Sequence, residues 1–162
     1  MTFTPIDLAL LVLIAVFIIF GLYFGLLHTV GSLVGAIVAI VGAGYALGYV
    51  VDWLSAFVSV GPVWTVVIFI VLFLIISRLV GFVFYLLERT IGIIARLPFI
   101  SSLDHLLGGI LGFLEGVVVS GVLVHAALAY LPAGAFTASI NVSTVANWIL
   151  GLTGFLIAWL PF

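Results

Sequence analysis

The chain has no cysteine and no lysine, and its 162 residues include only three arginines against five acids. Without cysteine there is no disulfide scaffold and no thiol nucleophile. Without a basic surface there is nothing to hold a phosphate backbone, so nucleic acid is excluded as a partner. Charged residues make up 5% of the chain, whereas soluble domains carry about 25%. Disorder needs high charge and low hydrophobicity, and is excluded on the same ground. What is present is apolar: 67% of residues belong to the set AVILMFWYC, and mean hydropathy is +1.66. The expected fold class is an all-α integral membrane protein, one domain over residues 1–162.

So few charges act as punctuation. Apolar runs over about residues 6–27, 30–51, 62–87 and 106–130 each match the roughly 20 residues that cross a bilayer. The leader Met1-Thr2-Phe3-Thr4-Pro5 has no basic residue, unlike a cleaved signal peptide, so the first run is read as a retained span. Residues 88–105 form the expected polar loop and carry Arg89 and Arg96. The positive-inside rule places that loop in the cytoplasm and the N-terminus outside.

A small-polar linker is expected from Thr137 to Thr144, then a short helix over 145–160. At 1.5 Å per residue that helix reaches roughly 24 Å, short of the hydrocarbon core of about 30 Å. Val145, Trp148, Ile149, Leu152, Phe155, Leu156 and Trp159 recur on one face, opposite Asn147, Gly151, Gly154 and Ala158. An interfacial or re-entrant helix fits this pattern better than a fifth span.

Glycine is abundant, at 18 residues. Gly108, Gly112, Gly116 and then Ser120 fall at four-residue steps and give the fourth span a continuous small-residue groove. Gly21 with Gly25, Gly31 with Gly35, and Gly44 with Gly48 repeat the spacing. Such grooves let helices approach closely where lipid removes the hydrophobic drive. Packing within the bundle is the first reading, and an interface for a second copy or another membrane protein is the alternative.

Ionisable residues within the spans are costly and so informative. Arg78 lies about nine residues before the end of the third span and Glu115 about ten residues into the fourth. Adjacent antiparallel spans would set them at one depth, as a structural ion pair or as part of a polar pathway. Asp7 and His125 both fall near the outer face, where they could pair. Asp104 follows Ser101 by three residues ahead of an apolar run, a capping-box spacing. No metal motif, nucleophile elbow or phosphate loop occurs, and the three histidines lie in different segments. No cofactor and no catalysis are expected.

The stretch Leu103-Asp104-His105-Leu106-Leu107-Gly108-Gly109-Ile110-Leu111-Gly112-Phe113-Leu114-Glu115-Gly116 resembles the signature of the colicin V production protein (CvpA) family. That signature has an Asp, a basic residue, Leu-Gly, and glycines at four-residue steps. Pro5-Ile6-Asp7-Leu8-Ala9-Leu10 is similar to the family's opening, and Gly25 with Ser32-Leu33 falls at its first turn. Three departures stand out: the first turn reads Phe24-Gly25-Leu26-Leu27-His28-Thr29 where the family usually has basic residues and a Glu, His105 fills the basic position, and Glu115 stands where a basic residue is common. The resemblance implies a bacterial cytoplasmic-membrane protein with a part in colicin V production or export and in envelope homeostasis, without established catalysis.

Two functions then compete. One is a scaffold or accessory factor that uses its glycine faces to bind a partner or a second copy. The other is a small oligomeric channel or transporter with a path at Arg78 and Glu115. The first is favoured, because four spans with so few polar residues leave little to line a pathway within one subunit.

Overall fold

A computed structural model describes residues 3–91 and 101–157. Six helices occur among them: α1 (Pro5–Phe24), α2 (Leu26–Ser55), α3 (Pro62–Ile91), α4 (Ser101–Tyr130), α5 (Ala135–Val142) and α6 (Thr144–Ile157). The first four are long and apolar enough to cross a membrane. α3 continues to Ile91 and α4 starts at Ser101, so helix enters the expected 88–105 loop from both sides. No proline interrupts the chain between Pro62 and Pro98, and polar residues at a span end do not stop a helix. Arg96 lies outside the described residues.

The expected short C-terminal helix is present as α6, and the difference from the sequence expectation lies in the linker before it. The residues read as a linker form α5, which meets α6 at a bend of 75°, making a broken span or a re-entrant element. Thr137 starts α5 by accepting the Gly134 N–H at 2.9 Å, and Ile140 is buried, so the turn has both a cap and an anchor. Ser143 is extended at the break and caps α6 by accepting the Ala146 N–H at 3.0 Å. In α6 the buried stripe is Ala146, Ile149 and Thr153, while the larger Trp148 and Leu152 are exposed. Thr153 can turn inward because its hydroxyl donates to the Ile149 carbonyl at 2.8 Å and needs no water. The expected helix end with Ala158 and Trp159 lies outside the described residues.

The long helices pack as two couples, α1 with α4 and α2 with α3, and α2 also packs on α4. α3 and α4, though joined by one loop, touch only slightly, and α1 with α3 do not form a packed pair. α4 is the central helix, with 61% of its span buried against 6% for α3.

The α1–α4 seam is built on glycine. A Cβ on Gly112 would strike the Phe17 carbonyl, and one on Gly108 would strike that of Gly21. On Gly116 it would meet the Ile14 Cα at 3.1 Å. The groove read from the four-residue steps is therefore occupied by α1. Its last member, Ser120, is fully buried, and its Oγ has no hydrogen-bond partner among the described residues.

Candidate functional site

The bundle has two polar regions, one near each end of α1. At its N-terminal end, Asp7 lies in the first turn and is completely buried. Its Oδ2 accepts from the Thr4 N–H and the Thr4 hydroxyl, each at 2.7 Å. Its Oδ1 accepts from the Ser143 hydroxyl at 2.7 Å and the Val145 N–H at 2.8 Å. The carboxylate thus closes the capping box of α1 and sits on the N-terminus of α6, where the helix dipole favours an anion. His125 is not among its partners, which corrects the pairing suggested by depth. The competing donors are the unspent N–H of α6 and the hydroxyl of its cap, and they saturate the acid first. His125 is half-buried on α4.

At the other end of α1, a single residue joins α1 to α2. Gly25 has φ of 85°, which favours glycine, and Asp104 Oδ2 occupies the place a Cβ would take. Asp104 lies in the first turn of α4 and so lies beside the start of α2. The side chain of Ser101, its expected capping partner, is outside the described residues. His105 Nδ1 is buried without a hydrogen-bond partner among the described residues.

Two turns along α4 from Gly108, roughly 10 Å by helical rise, Glu115 faces a cleft between α1 and α3. Two connected lobes, of about 510 and 410 Å³, share Phe17, His28, Ser32, Arg78 and Glu115 in their walls. Gly31, Ser77, Gly81, Phe82, Phe84 and Tyr85 complete the larger lobe, and Phe20, Gly21, Phe24 and Thr29 the smaller. The cleft exists because α1 and α3 belong to different couples, while α2 and α4 form its floor. Glu115 is 7% exposed, and its Oε2 accepts from the Ser32 hydroxyl at 2.6 Å. Arg78 lines the same cleft without reaching ion-pair distance of Glu115. The two charges therefore line one cleft but do not form the expected pair. The expectation assumed that spans joined by one loop pack together, and α3 packs on α2 instead.

Ser32, Ser77 and His28 complete the polar wall and were not singled out as site residues from the sequence. A usable signal existed for two of them: His28 and Ser32 are four residues apart on α2 and share a face. Ser77 sits beside Arg78 on an otherwise apolar helix. No cluster of three potential metal ligands occurs among the described residues.

Four apolar spans, a small-residue seam and an acid buried against a polar cleft define a multi-pass helical membrane protein. A sequence model described as colicin V production protein matches residues 6–154. The chain belongs to that family, as the Asp104 to Gly116 motif and the Pro5 to Leu10 opening imply. Neither the curated proteins nor the solved structures yield a match to the chain.

Proposed function

We propose that this protein serves colicin V production as an accessory membrane factor whose working part is the Glu115 cleft, where it binds and passes a small polar or ionic solute. The observation that carries this reading is a buried carboxylate held by one hydroxyl, beside a cavity that also contains a guanidinium with no ion pair among the described residues. Placing Arg near the bilayer centre costs about 2.5–3.5 kcal/mol on the insertion scale. A structural role would recover that cost through a direct pair with Glu115, and Arg78 does not make one. A pure scaffold reading leaned on the Gly108 to Ser120 groove, which α1 already fills. The glycines where an added Cβ would meet nothing within 4 Å, and so open to a second copy or a partner, are Gly48, Gly61, Gly81, Gly151 and Gly154.

The reading assigns no covalent chemistry. It places the protein in a bacterial cytoplasmic membrane with Arg89 and Arg96 toward the cytoplasm, so the cleft lies in the inner half of the bilayer. A role in envelope homeostasis follows if the solute is an envelope component. The test is flux of protons and small ions in liposomes under an imposed potential. Loss of flux in Glu115→Gln, with the protein still folded, supports the cleft. Absence of flux in the folded native protein returns the scaffold reading to the front.

A further inference from the structure

We propose that the cleft receives a zwitterion bearing an ammonium and an anionic group, and that its source is the headgroup of an aminophospholipid entering between α1 and α3. The inference rests on the cleft being the working site and names the ligand that suits it. Glu115 and Arg78 lie in one cavity and are not paired. In a medium of low dielectric, two such charges are each left short of a partner. A simple cation would satisfy Glu115 and repel Arg78, and a simple anion would do the reverse. A ligand with separated opposite charges satisfies both, with its ammonium at Glu115 and its phosphate at Arg78.

The hydrogen-bond inventory agrees. Ser32 occupies Oε2 of Glu115, while Oε1 accepts nothing from the described residues and is open to an N–H donor. Arg78 is exposed on α3 and can present its donors to phosphate oxygens. The lipid source follows from how the cleft opens. α1 and α3 are not packed together, so the mouth between them faces the acyl chains. Phe20 and Phe82, both exposed, stand on its two sides, where an acyl chain would rest while the polar head turns inward. The turn at Gly25 marks the bundle end from which the head would come, roughly 10 Å from Glu115.

The experiment is native mass spectrometry of the full chain in detergent, titrated with phosphatidylethanolamine, phosphatidylcholine or phosphatidylglycerol. The native protein is expected to retain phosphatidylethanolamine at least about tenfold over phosphatidylcholine, whose quaternary nitrogen has no N–H to give Glu115. Glu115→Gln should bring the two lipids level, and Arg78→Gln should weaken both. Arg78→Gln, at an exposed position, keeps the test readable if Glu115→Gln fails to fold. Equal retention of the two lipids by the native protein, or unchanged selectivity in Glu115→Gln, overturns the proposal. Binding of free phosphoethanolamine as tight as that of the lipid overturns the lipid source. If selectivity is absent while Glu115-dependent ion flux persists, the zwitterion is lost and the cleft stands; if flux is absent as well, both fall.

Discussion

The Asp7 corner and the Glu115 cleft each bury a carboxylate within a membrane span, and they satisfy it in opposite ways. Asp7 takes four hydrogen bonds, two on each oxygen, and is fully enclosed. Glu115 takes one, from Ser32, and stands beside open volume. The difference follows from position along a helix. At a helix start the backbone N–H groups are unspent, so Asp7 can be saturated by the ends of α1 and α6 without water or ligand. In mid-helix every N–H is already committed, so Glu115 depends on side chains or on whatever enters the cleft. The first arrangement is architecture, and the second leaves capacity to bind.

The most severe way to break this comparison is to remove what both regions share, the seam that holds α1. Gly112→Ile places a side chain against the Phe17 carbonyl. Backbone cannot yield as a flexible side chain does, so the loss should exceed the roughly 1–3 kcal/mol typical of overpacking. In detergent the protein should unfold at markedly lower temperature or aggregate. Gly48→Ala, where an added Cβ meets nothing within 4 Å, is the control and should be nearly silent. Equal behaviour of the two variants would mean that the α1–α4 seam is not what holds the bundle.

Asp7→Asn comes next. An amide keeps one acceptor oxygen but turns a donor toward the Thr4 N–H or the Val145 N–H, so the saturated corner is left with opposed donors. The expected loss is about 2 kcal/mol, read as a lower melting temperature and faster hydrogen exchange at the start of α6. Ser143→Ala removes one donor to Asp7 and the α6 cap together, and should cost about 1 kcal/mol. Ion flux per folded molecule should not change in either variant, because neither residue lines the cleft. Flux that falls in proportion to the Asp7 substitution would tie the corner to the site and erase the distinction between them.

How much of this was readable beforehand depended on the range of the interaction. The four long helices follow from apolar runs, and the α1–α4 seam is implied by the matching four-residue steps of Gly21 with Gly25 and of Gly108 with Gly112 and Gly116. The Asp7–Ser143 bond spans 136 positions and ends in a stretch whose small polar residues read as a linker. Thr4-Pro5-Ile6-Asp7 carries the capping spacing, so a local role for Asp7 was legible, whereas its second role on α6 needed the fold. Counting residues from the loop set Arg78 and Glu115 level with each other, and the fold brings both to one cleft. Their separation was not legible, because it depends on α3 choosing α2 over α4, and every long helix here is apolar on most faces. A periodicity that names no single buried face names no neighbour either.

The smallest effects on stability, and the sharpest on function, are expected in the cleft. Glu115→Gln preserves shape and one acceptor oxygen, so the melting temperature should move by no more than about 1 kcal/mol would produce, far less than in Asp7→Asn. Conductance or solute passage should nonetheless be abolished, since the charge facing the cavity is gone. Ser32→Ala is finer still. It removes the hydroxyl at 2.6 Å from Oε2 and leaves the carboxylate in place with cavity volume beside it. If Ser32 only orients Glu115, the alanine variant should keep measurable flux and recover part of the loss on replacement by threonine, which restores the hydroxyl. If Ser32→Ala instead destabilises the fold as much as Asp7→Asn does, Glu115 is a structural acid like Asp7. The two carboxylates would then differ in the number of their partners without differing in kind.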